Sequence, residues 1–152
     1  MITIETAGLD DLPELIQLLG ILFSEEAEFK PDAAKQEAAL RLILSDPARG
    51  RVCVARDGAR VVAMASLLFT VSTAEGGRAA LFEDLIVRPQ YRGRGIGAKL
   101  LEHVIGEART AGVLRITLLT EAQNERAQAL YRKLGFKKSA MQPMRLHLRE
   151  EK

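Results

Sequence analysis

The stretch LIVRPQYRGRGIGA, residues 85–98, carries a strand-like apolar run through a glycine-rich turn into an amphipathic helix. Gly93, Gly95 and Gly97 would let the backbone approach a ligand closely. The N-terminus of the following helix offers unpaired N–H groups and the positive end of the helix dipole. This turn is therefore suited to hold a phosphate or diphosphate group.

Two arginines strengthen that interpretation. Arg92 and Arg94 bring positive charge and forked N–H donors that suit phosphate. The same glycines could also form only a flexible turn. A dinucleotide-binding fold is disfavoured because the spacing is not G-x-G-x-x-G and because hairpins precede the turn. A P-loop is excluded because the sequence contains no G-x-x-x-x-G-K-[ST].

Hydrophobic periodicity on either side of this stretch predicts the element order β-α-α-β-β-β-α-β-α-β. Early hairpins, one of them at Asp57-Gly58, followed by strand–helix–strand units indicate an α/β fold with a mixed sheet flanked by helices. We expect a single domain over residues 1–152. The predicted strands are residues 2–6, 51–56, 60–72, 79–87 and 114–119, with one or two more within 136–148. The predicted helices are residues 12–23, 33–44, 96 to about 111, and 124 or 125 to 134.

Two helix starts carry capping signals. Asp11-Leu12-Pro13-Glu14 resembles a capping box with Pro in the first turn, and Asp32 is placed to cap the second helix. Leu40, Ile43 and Leu44 should face inward from that second helix.

Composition and charge exclude several classes of function. The chain has 152 residues, of which 47% are hydrophobic, and its formal net charge is +2, which is too balanced to indicate a nucleic-acid partner. Apolar runs are shorter than the ~20 residues of a membrane helix, and no signal peptide is evident, so we expect no membrane partner. The single cysteine, Cys53, fits a reducing cytoplasm and a buried thiol. The spacing of His, Cys and Asp predicts no metal site.

Two motifs resemble one known family. Arg92-Gly93-Arg94-Gly95-Ile96-Gly97 matches R-x-x-G-x-G, the diphosphate loop of the GNAT family of N-acetyltransferases. The segment from Asn124 to Phe136, about 30 residues later, resembles the second cofactor motif of that family. The predicted element order is also similar over nearly the whole chain.

The resemblance implies acetyl-CoA as the cosubstrate and N-acyl transfer as the activity. The cosubstrate would lie where two neighbouring parallel strands, 81–87 and 114–119, splay apart in a mostly antiparallel sheet. Strand backbone groups would pair with the pantetheine arm, and loop amides would hold the diphosphate. Asn124 would contact the pantetheine side, and Tyr131 would direct its hydroxyl at the sulfur. The implied cosubstrate-binding residues are Ile86, Val87, Arg92, Gly93, Arg94, Gly95, Ile96, Gly97, Ala98, Asn124 and Tyr131.

Acyl transfer to an amine needs a proton acceptor, because alkyl amines with a pKa of ~10.4 are protonated at pH 7. Glu83 and Asp84 are adjacent acids in an apolar strand, and alternation should place only one of them in the cleft. We favour Glu83 as the base because it should share a face with Leu85 and Val87. Base catalysis through water and structural salt bridges for both acids remain alternatives.

Tyr131 is the second candidate catalytic residue. It could donate a hydrogen bond or a proton to the CoA thiolate as the thiolate leaves. Full proton transfer from Tyr, with a pKa of ~10, to a thiolate, whose thiol form has a pKa of ~8.5, is uphill by about 2 kcal/mol. A backbone N–H near Val87 could stabilise the oxyanion of the tetrahedral intermediate. Tyr131 could also be only a core residue.

The acceptor is suggested by acidic residues. Glu25, Glu26 and Glu28 lie between the first two predicted helices and, with Asp84, would attract a cationic amine. Phe82-Glu83-Asp84 is similar to the diamine and polyamine acetyltransferases. Amino acids, peptide N-termini and protein lysines remain open, and the glutamates could equally be a solvated helix end.

Two further predictions concern assembly and the absence of catalysis. Many relatives dimerise through C-terminal strands, so Met141, Met144 and Leu146 would suit either a homodimer interface or core packing. The alternative to an enzyme is an acyl-CoA-binding module that regulates without catalysis.

Overall fold

The computed structural model describes residues 1–149 and divides the chain into two compact units, Met1–Leu119 and the residues from Thr120 onward. The single-domain prediction stays a prediction. The strands are β1 (Ile2–Thr6), β2 (Gly50–Asp57), β3 (Arg60–Ser72), β4 (Gly77–Val87) and β5 (Ile116–Leu118). The helices are α1 (Leu12–Glu25), α2 (Ala33–Leu44), α3 (Ile96–Thr110) and α4 (Glu125–Lys133), with short 3-10 turns at Leu9–Asp11 and Pro89–Tyr91.

The first unit is built on one mixed sheet with the strand order β1-β2-β3-β4-β5. Neighbouring strands are antiparallel except for β4 and β5, which are parallel. That parallel pairing joins only Ala80–Phe82 to Ile116–Leu118. Within the described residues, β4 has no partner on β5 after Phe82, so the two strands separate there, as predicted. The predicted α/β fold with a splayed parallel pair is confirmed.

The core of the first unit forms because helices cover the sheet. On β3, residues 61–67 are all buried, so both faces of that strand are covered. Helix α3 packs on β2, β3 and β4. Cys53 is buried, as expected, and burial raises the pKa of its thiol to about 12. The buried residues on the α1 and α2 side are Leu12, Leu15, Leu18, Leu19, Leu40, Val52, Val54, Val61, Met64 and Ile86.

Only one of the two predicted helix caps is observed. Asp32 Oδ1 accepts the Lys35 N–H at 3.2 Å, as predicted. Asp11 precedes α1 as predicted, but its side chain makes no capping hydrogen bond to the helix, so the predicted capping box is wrong. The Asp11 carboxylate instead pairs with Arg56 at 2.8 Å and accepts the Gly8 N–H at 2.9 Å. A guanidinium is the stronger partner for a carboxylate, and it lowers the pKa of Asp11.

The second unit contains α4, as predicted. No strand forms within residues 136–148, so the prediction of one or two strands there is wrong. Pro143 lacks a backbone N–H, and a short strand with no partner cannot satisfy its backbone groups. Met141, Met144 and Leu146 are 84–92% exposed, so core packing does not account for them. Their role in a homodimer interface stays a prediction.

Candidate active site

The glycine-rich turn has a backbone that favours glycine. Gly93 and Gly95 have φ angles of 81° and 77°, in the left-handed region that other residues rarely adopt. Gly95 is the N-cap of α3 and has no side chain that could accept a hydrogen bond from the helix. The first amides of α3, at Ile96–Ala98, have no partners within the helix, as at any helix start. A Cβ at either glycine would meet nothing within 4 Å, so open space lies beside the turn. These features fit a diphosphate group.

Arg92 is held by two other parts of the first unit. Its Nε–H donates to the Val87 carbonyl at 2.9 Å, and its two Nη atoms donate to both carboxylate oxygens of Glu25 at 3.2 and 2.8 Å. The hydrogen bond from Arg92 lowers the pKa of Glu25. The structure thus joins a residue predicted for phosphate to one predicted for the acceptor.

Arg94 is held by Tyr91, an arrangement that sequence reasoning missed. The guanidinium lies 5.0 Å from the centre of the Tyr91 ring, and its Nη2 donates to the Gln90 carbonyl at 3.2 Å. The Tyr91 hydroxyl donates at 2.7 Å to Oδ2 of Asp57, the last residue of β2, beside the hairpin turn to β3. This hairpin turn therefore anchors the loop. The sequence predicts only a turn at Asp57-Gly58, and nothing local in it links Asp57 to Tyr91.

A β-bulge shapes the end of β4. Ser66 pairs with Glu83, and Met64 pairs with Ile86, so two residues of β4 oppose the one residue of β3 between them. Asp84 lies in this bulge with a φ of 59°, the one non-glycine residue with positive φ among residues 1–149. The extra residue shifts the alternation, and Glu83 falls on the face of Ile86. The prediction that Glu83 shares a face with Leu85 and Val87 is therefore wrong.

The two acids of the bulge differ in environment. Asp84 is half-buried, whereas Glu83 is exposed. Burial raises the pKa of Asp84 to about 7, with further contributions from the charges of Glu83 and Glu26. The structure therefore brings Glu26 to the bulge, whereas Glu28 lies on the exposed segment after α1. Asp84 is poised to exchange a proton near neutral pH.

A buried hydroxyl lies next to these acids in the sheet register. Ser66 is 1% exposed and pairs directly with Glu83. Its Oγ has no hydrogen-bond partner among the described residues. An unpaired buried hydroxyl costs about 1–3 kcal/mol, so a ligand or water partner at this position would be stabilising. No motif or spacing in the sequence singles out Ser66.

In the second unit, Asn124 lies at the start of α4 and Tyr131 lies within this helix. Asn124 Oδ1 accepts the Ala127 N–H at 3.2 Å and so caps the helix. Tyr131 is half-buried, and its ring meets the edge of Phe136 at a centroid distance of 6.0 Å. Burial raises the pKa of the Tyr131 hydroxyl. Its predicted contact with the cosubstrate sulfur stays a prediction.

Comparison with known proteins identifies the family. The sequence matches the Acetyltransferase (GNAT) family over residues 12–136. The chain belongs to the GNAT acetyltransferase family. The match spans both motifs that suggested it, and it confirms the enzyme prediction of an acyl-CoA-dependent acetyltransferase. GNAT acetyltransferases use acetyl-CoA, and the open, glycine-rich turn fits the diphosphate of this cosubstrate.

Two relatives illustrate the range of the family. This GNAT protein is 32% identical over 120 residues to an uncharacterized N-acetyltransferase of Mycobacterium tuberculosis, covering 79% of this chain and 73% of that one. It is 38% identical over 73 residues to a ribosomal protein bS18-alanine N-acetyltransferase of Salmonella typhimurium, covering 48% of this chain. The aligned region spans about half of that second relative, 49% of its length.

Solved structures show the same fold. A possible acetyltransferase from Clostridium difficile aligns with a TM-score of 0.86 at 20% identity, covering 99% of both chains. An integron cassette protein from a salt-marsh metagenome aligns with a TM-score of 0.85 at 26% identity, covering 97% of this chain and 91% of that one. Within residues 1–149 of the GNAT chain, every helix is too short or too polar to cross a bilayer. In the same range no three His, Cys, Asp or Glu residues are grouped as metal ligands.

Proposed function

We propose that this enzyme transfers the acetyl group of acetyl-CoA to a cationic primary amine by direct attack in a ternary complex. The observation that supports this most strongly is Asp84, a half-buried carboxyl group with a pKa of about 7 at the bulge of β4. Bases poised near the operating pH are the most effective in proton transfer. The amine must lose a proton, and Asp84 is suited to accept it.

In the proposed reaction Asp84, rather than Glu83, is the base. An alkyl ammonium group has a reference pKa of ~10.4 and arrives protonated at pH 7. The Asp84 carboxylate takes a proton from this nitrogen, directly or through a water molecule. The nitrogen lone pair then attacks the thioester carbonyl carbon, and the C–N bond forms in a tetrahedral intermediate. The C–S bond of this intermediate breaks to release the thiolate, and the nitrogen loses its second proton to water.

Tyr131 is proposed to stabilise the departing thiolate. Because burial raises its pKa, the hydroxyl keeps its proton at neutral pH and acts as a hydrogen-bond donor. The raised pKa also makes full proton transfer to a thiolate less favourable than the reference values indicate. We therefore assign Tyr131 charge stabilisation, and solvent supplies the thiol proton.

The acceptor is proposed to carry positive charge beyond the reacting nitrogen. Glu26 and Glu83 both contribute negative charge at Asp84, and the Ser66 hydroxyl next to Glu83 in register lacks a partner in the described chain. A second ammonium group would interact favourably with such a cluster. Amine acceptors also fit the names of two relatives, an alanine N-acetyltransferase of a ribosomal protein and a thialysine N-epsilon-acetyltransferase.

The test is release of free CoA thiol from acetyl-CoA, followed with a chromogenic disulfide. The panel pairs each diamine or polyamine with a monoamine of equal chain length, and adds amino acids and short peptides. Cys53 should give little background because it is buried and its pKa is about 12. A protein-only blank checks this.

We expect amine-dependent release, with kcat/KM for a diamine about tenfold or more above its matched monoamine. Glu26→Gln should raise the KM of the diamine and leave that of the monoamine nearly unchanged. Equal use of both amines would contradict the charged acceptor. No release with any amine, from protein that binds acetyl-CoA, would contradict the proposed reaction.

Location and assembly are also inferred. We infer a cytoplasmic location, which the single, buried Cys53 supports because a free thiol suits a reducing compartment. We also retain the homodimer as a prediction, supported by the exposed apolar residues Met141, Met144 and Leu146.

A further inference from the structure

Glu25 has an unusual position for a carboxylate. It is the last residue of α1, at the negative end of the helix dipole, and the last turn of α1 carries no basic residue. A negative charge at this end of a helix is unfavourable. Helix stability therefore does not explain Glu25. Its compensation comes from Arg92, which lies 67 residues later in the sequence.

The donors of Arg92 are largely occupied by this contact. A guanidinium has five N–H donors, and its two Nη atoms form a fork that fits either a carboxylate or a phosphate. Here both Nη atoms donate to Glu25, at 3.2 and 2.8 Å, and Nε donates to the Val87 carbonyl at 2.9 Å. Glu25 therefore uses the fork that a diphosphate would need.

The contact is also suited to exchange. The side chains of Arg92 and Glu25 are 37% and 48% exposed, and ion pairs this open to water are weak. A diphosphate carries more negative charge than one carboxylate, and it would also receive the free amides at the start of α3. Replacement of Glu25 by the diphosphate is therefore favoured.

We propose that Glu25 is an internal competitor of the cosubstrate: its carboxylate occupies Arg92 in the free enzyme, and the diphosphate displaces it. This inference rests on the proposed function, because it assigns Arg92 to the diphosphate. The displaced carboxylate lies one residue from Glu26, whose charge acts on Asp84. Cosubstrate binding would thereby free a carboxylate next to Glu26 in the sequence, and its unpaired charge would favour the cationic amine.

The test is calorimetric titration with CoA at low ionic strength. Glu25→Gln should bind CoA about two- to fivefold more tightly than the wild type, the range expected for loss of an exposed ion pair. Glu37→Gln is the matched control, because Glu37 is also 48% exposed and pairs with Arg41 at 3.1 Å on α2. It removes the same charge and should leave the affinity unchanged.

A double-mutant cycle shows whether the effect passes through Arg92. In an Arg92→Gln background, Glu25→Gln should no longer change CoA affinity. At saturating partner concentrations, Glu25→Gln should also lower the KM for acetyl-CoA and raise the KM for the amine. A purely structural role would raise both.

Three results would overturn the inference: weaker CoA binding by Glu25→Gln, unchanged binding, or tightening that persists in the Arg92→Gln background. In each of these cases the proposed function still stands, because the wild type binds CoA. Absence of CoA binding by the wild type would overturn the proposed function and this inference together.

Discussion

Asp84 combines two unfavourable features in one residue. Its φ of 59° is in the left-handed region, which costs a non-glycine residue on the order of 1 kcal/mol. Its carboxyl group is half-buried beside the charges of Glu83 and Glu26, which raises its pKa to about 7. Strain and a perturbed pKa at the same residue are typical of functional sites. The role of base proposed for Asp84 gives both features a reason.

The first prediction concerns the pH dependence of activity. A base must be deprotonated, so kcat/KM should rise with pH and level off above an apparent pKa of about 7. Initial rates with acetyl-CoA and the best amine, between about pH 5.5 and 8.5, would show this. A profile that is flat through neutral pH would argue against Asp84.

The second prediction concerns stability. The folded-state pKa of Asp84, about 7, is above its unfolded value of ~3.9, so its contribution to stability is complete below pH ~3.9 and is lost as pH rises through about 7. Asp84→Asn should therefore stabilise the protein by about 1–3 kcal/mol at pH 8 and by much less at pH 5. Urea unfolding at both pH values would measure the difference. Destabilisation by Asp84→Asn at pH 8 would mean that the carboxylate is structurally satisfied.

The third prediction concerns Tyr131. Tyr131→Phe keeps the ring that packs on Phe136 but removes the hydroxyl donor. We expect kcat to fall about 100-fold, the lower end of the loss typical of removing one donor to a developing charge, with Tm nearly unchanged. Steady-state kinetics and thermal unfolding would be compared in parallel. A large loss of Tm with unchanged kcat would indicate that Tyr131 is only a core residue.

At the scale of elements, local signals in the sequence were sufficient for most boundaries. The prediction for β3 matches its observed bounds, Arg60–Ser72, because Asp57-Gly58 defines the preceding turn and the apolar run is continuous. The bulge on β4 could not be predicted, because it depends on the register between β3 and β4 and not on either strand alone. The extra residue in the bulge places Glu83 on the face of Ile86, opposite to the face expected from simple alternation.

In the segment from residue 136 to residue 148, the sequence pattern predicts strands that the structure does not contain. Met144, Leu146 and Leu148 alternate with polar residues, which is typical of a strand, yet all three are more than 80% exposed and no strand forms. Alternation indicates which face of a strand would be apolar, but pairing must come from elsewhere in the fold. A local pattern cannot supply that partner.

The fourth prediction tests the glycine-rich turn as an element. Gly95→Ala should weaken CoA binding about tenfold or more and lower stability by about 1 kcal/mol, because alanine disfavours the φ of 77°. Gly106→Ala is the matched control, because Gly106 lies inside α3 with nothing within 4 Å of an added Cβ. It should stabilise α3 by about 0.5–1 kcal/mol and leave CoA binding unchanged. Equal effects of the two substitutions would show that the turn is not a ligand site.

At the scale of the whole molecule, the sequence was sufficient to predict the family and the fold class. The two motifs are contiguous segments, so their residues are recognisable without knowing the fold. The contacts of the site are not contiguous. Arg92 with Glu25 and Tyr91 with Asp57 each join distant parts of the chain, and only the structure reveals them.

The carboxylate in the bulge of β4 is the proposed base of this GNAT acetyltransferase. The most direct measurement is kcat/KM for acetyl transfer to the best amine at pH 8 for wild type, Asp84→Asn and Glu83→Gln. We expect Asp84→Asn to lose about 100-fold or more, whereas Glu83→Gln should stay within about tenfold of the wild type. Full activity of Asp84→Asn, or an equal loss in both variants, would contradict it.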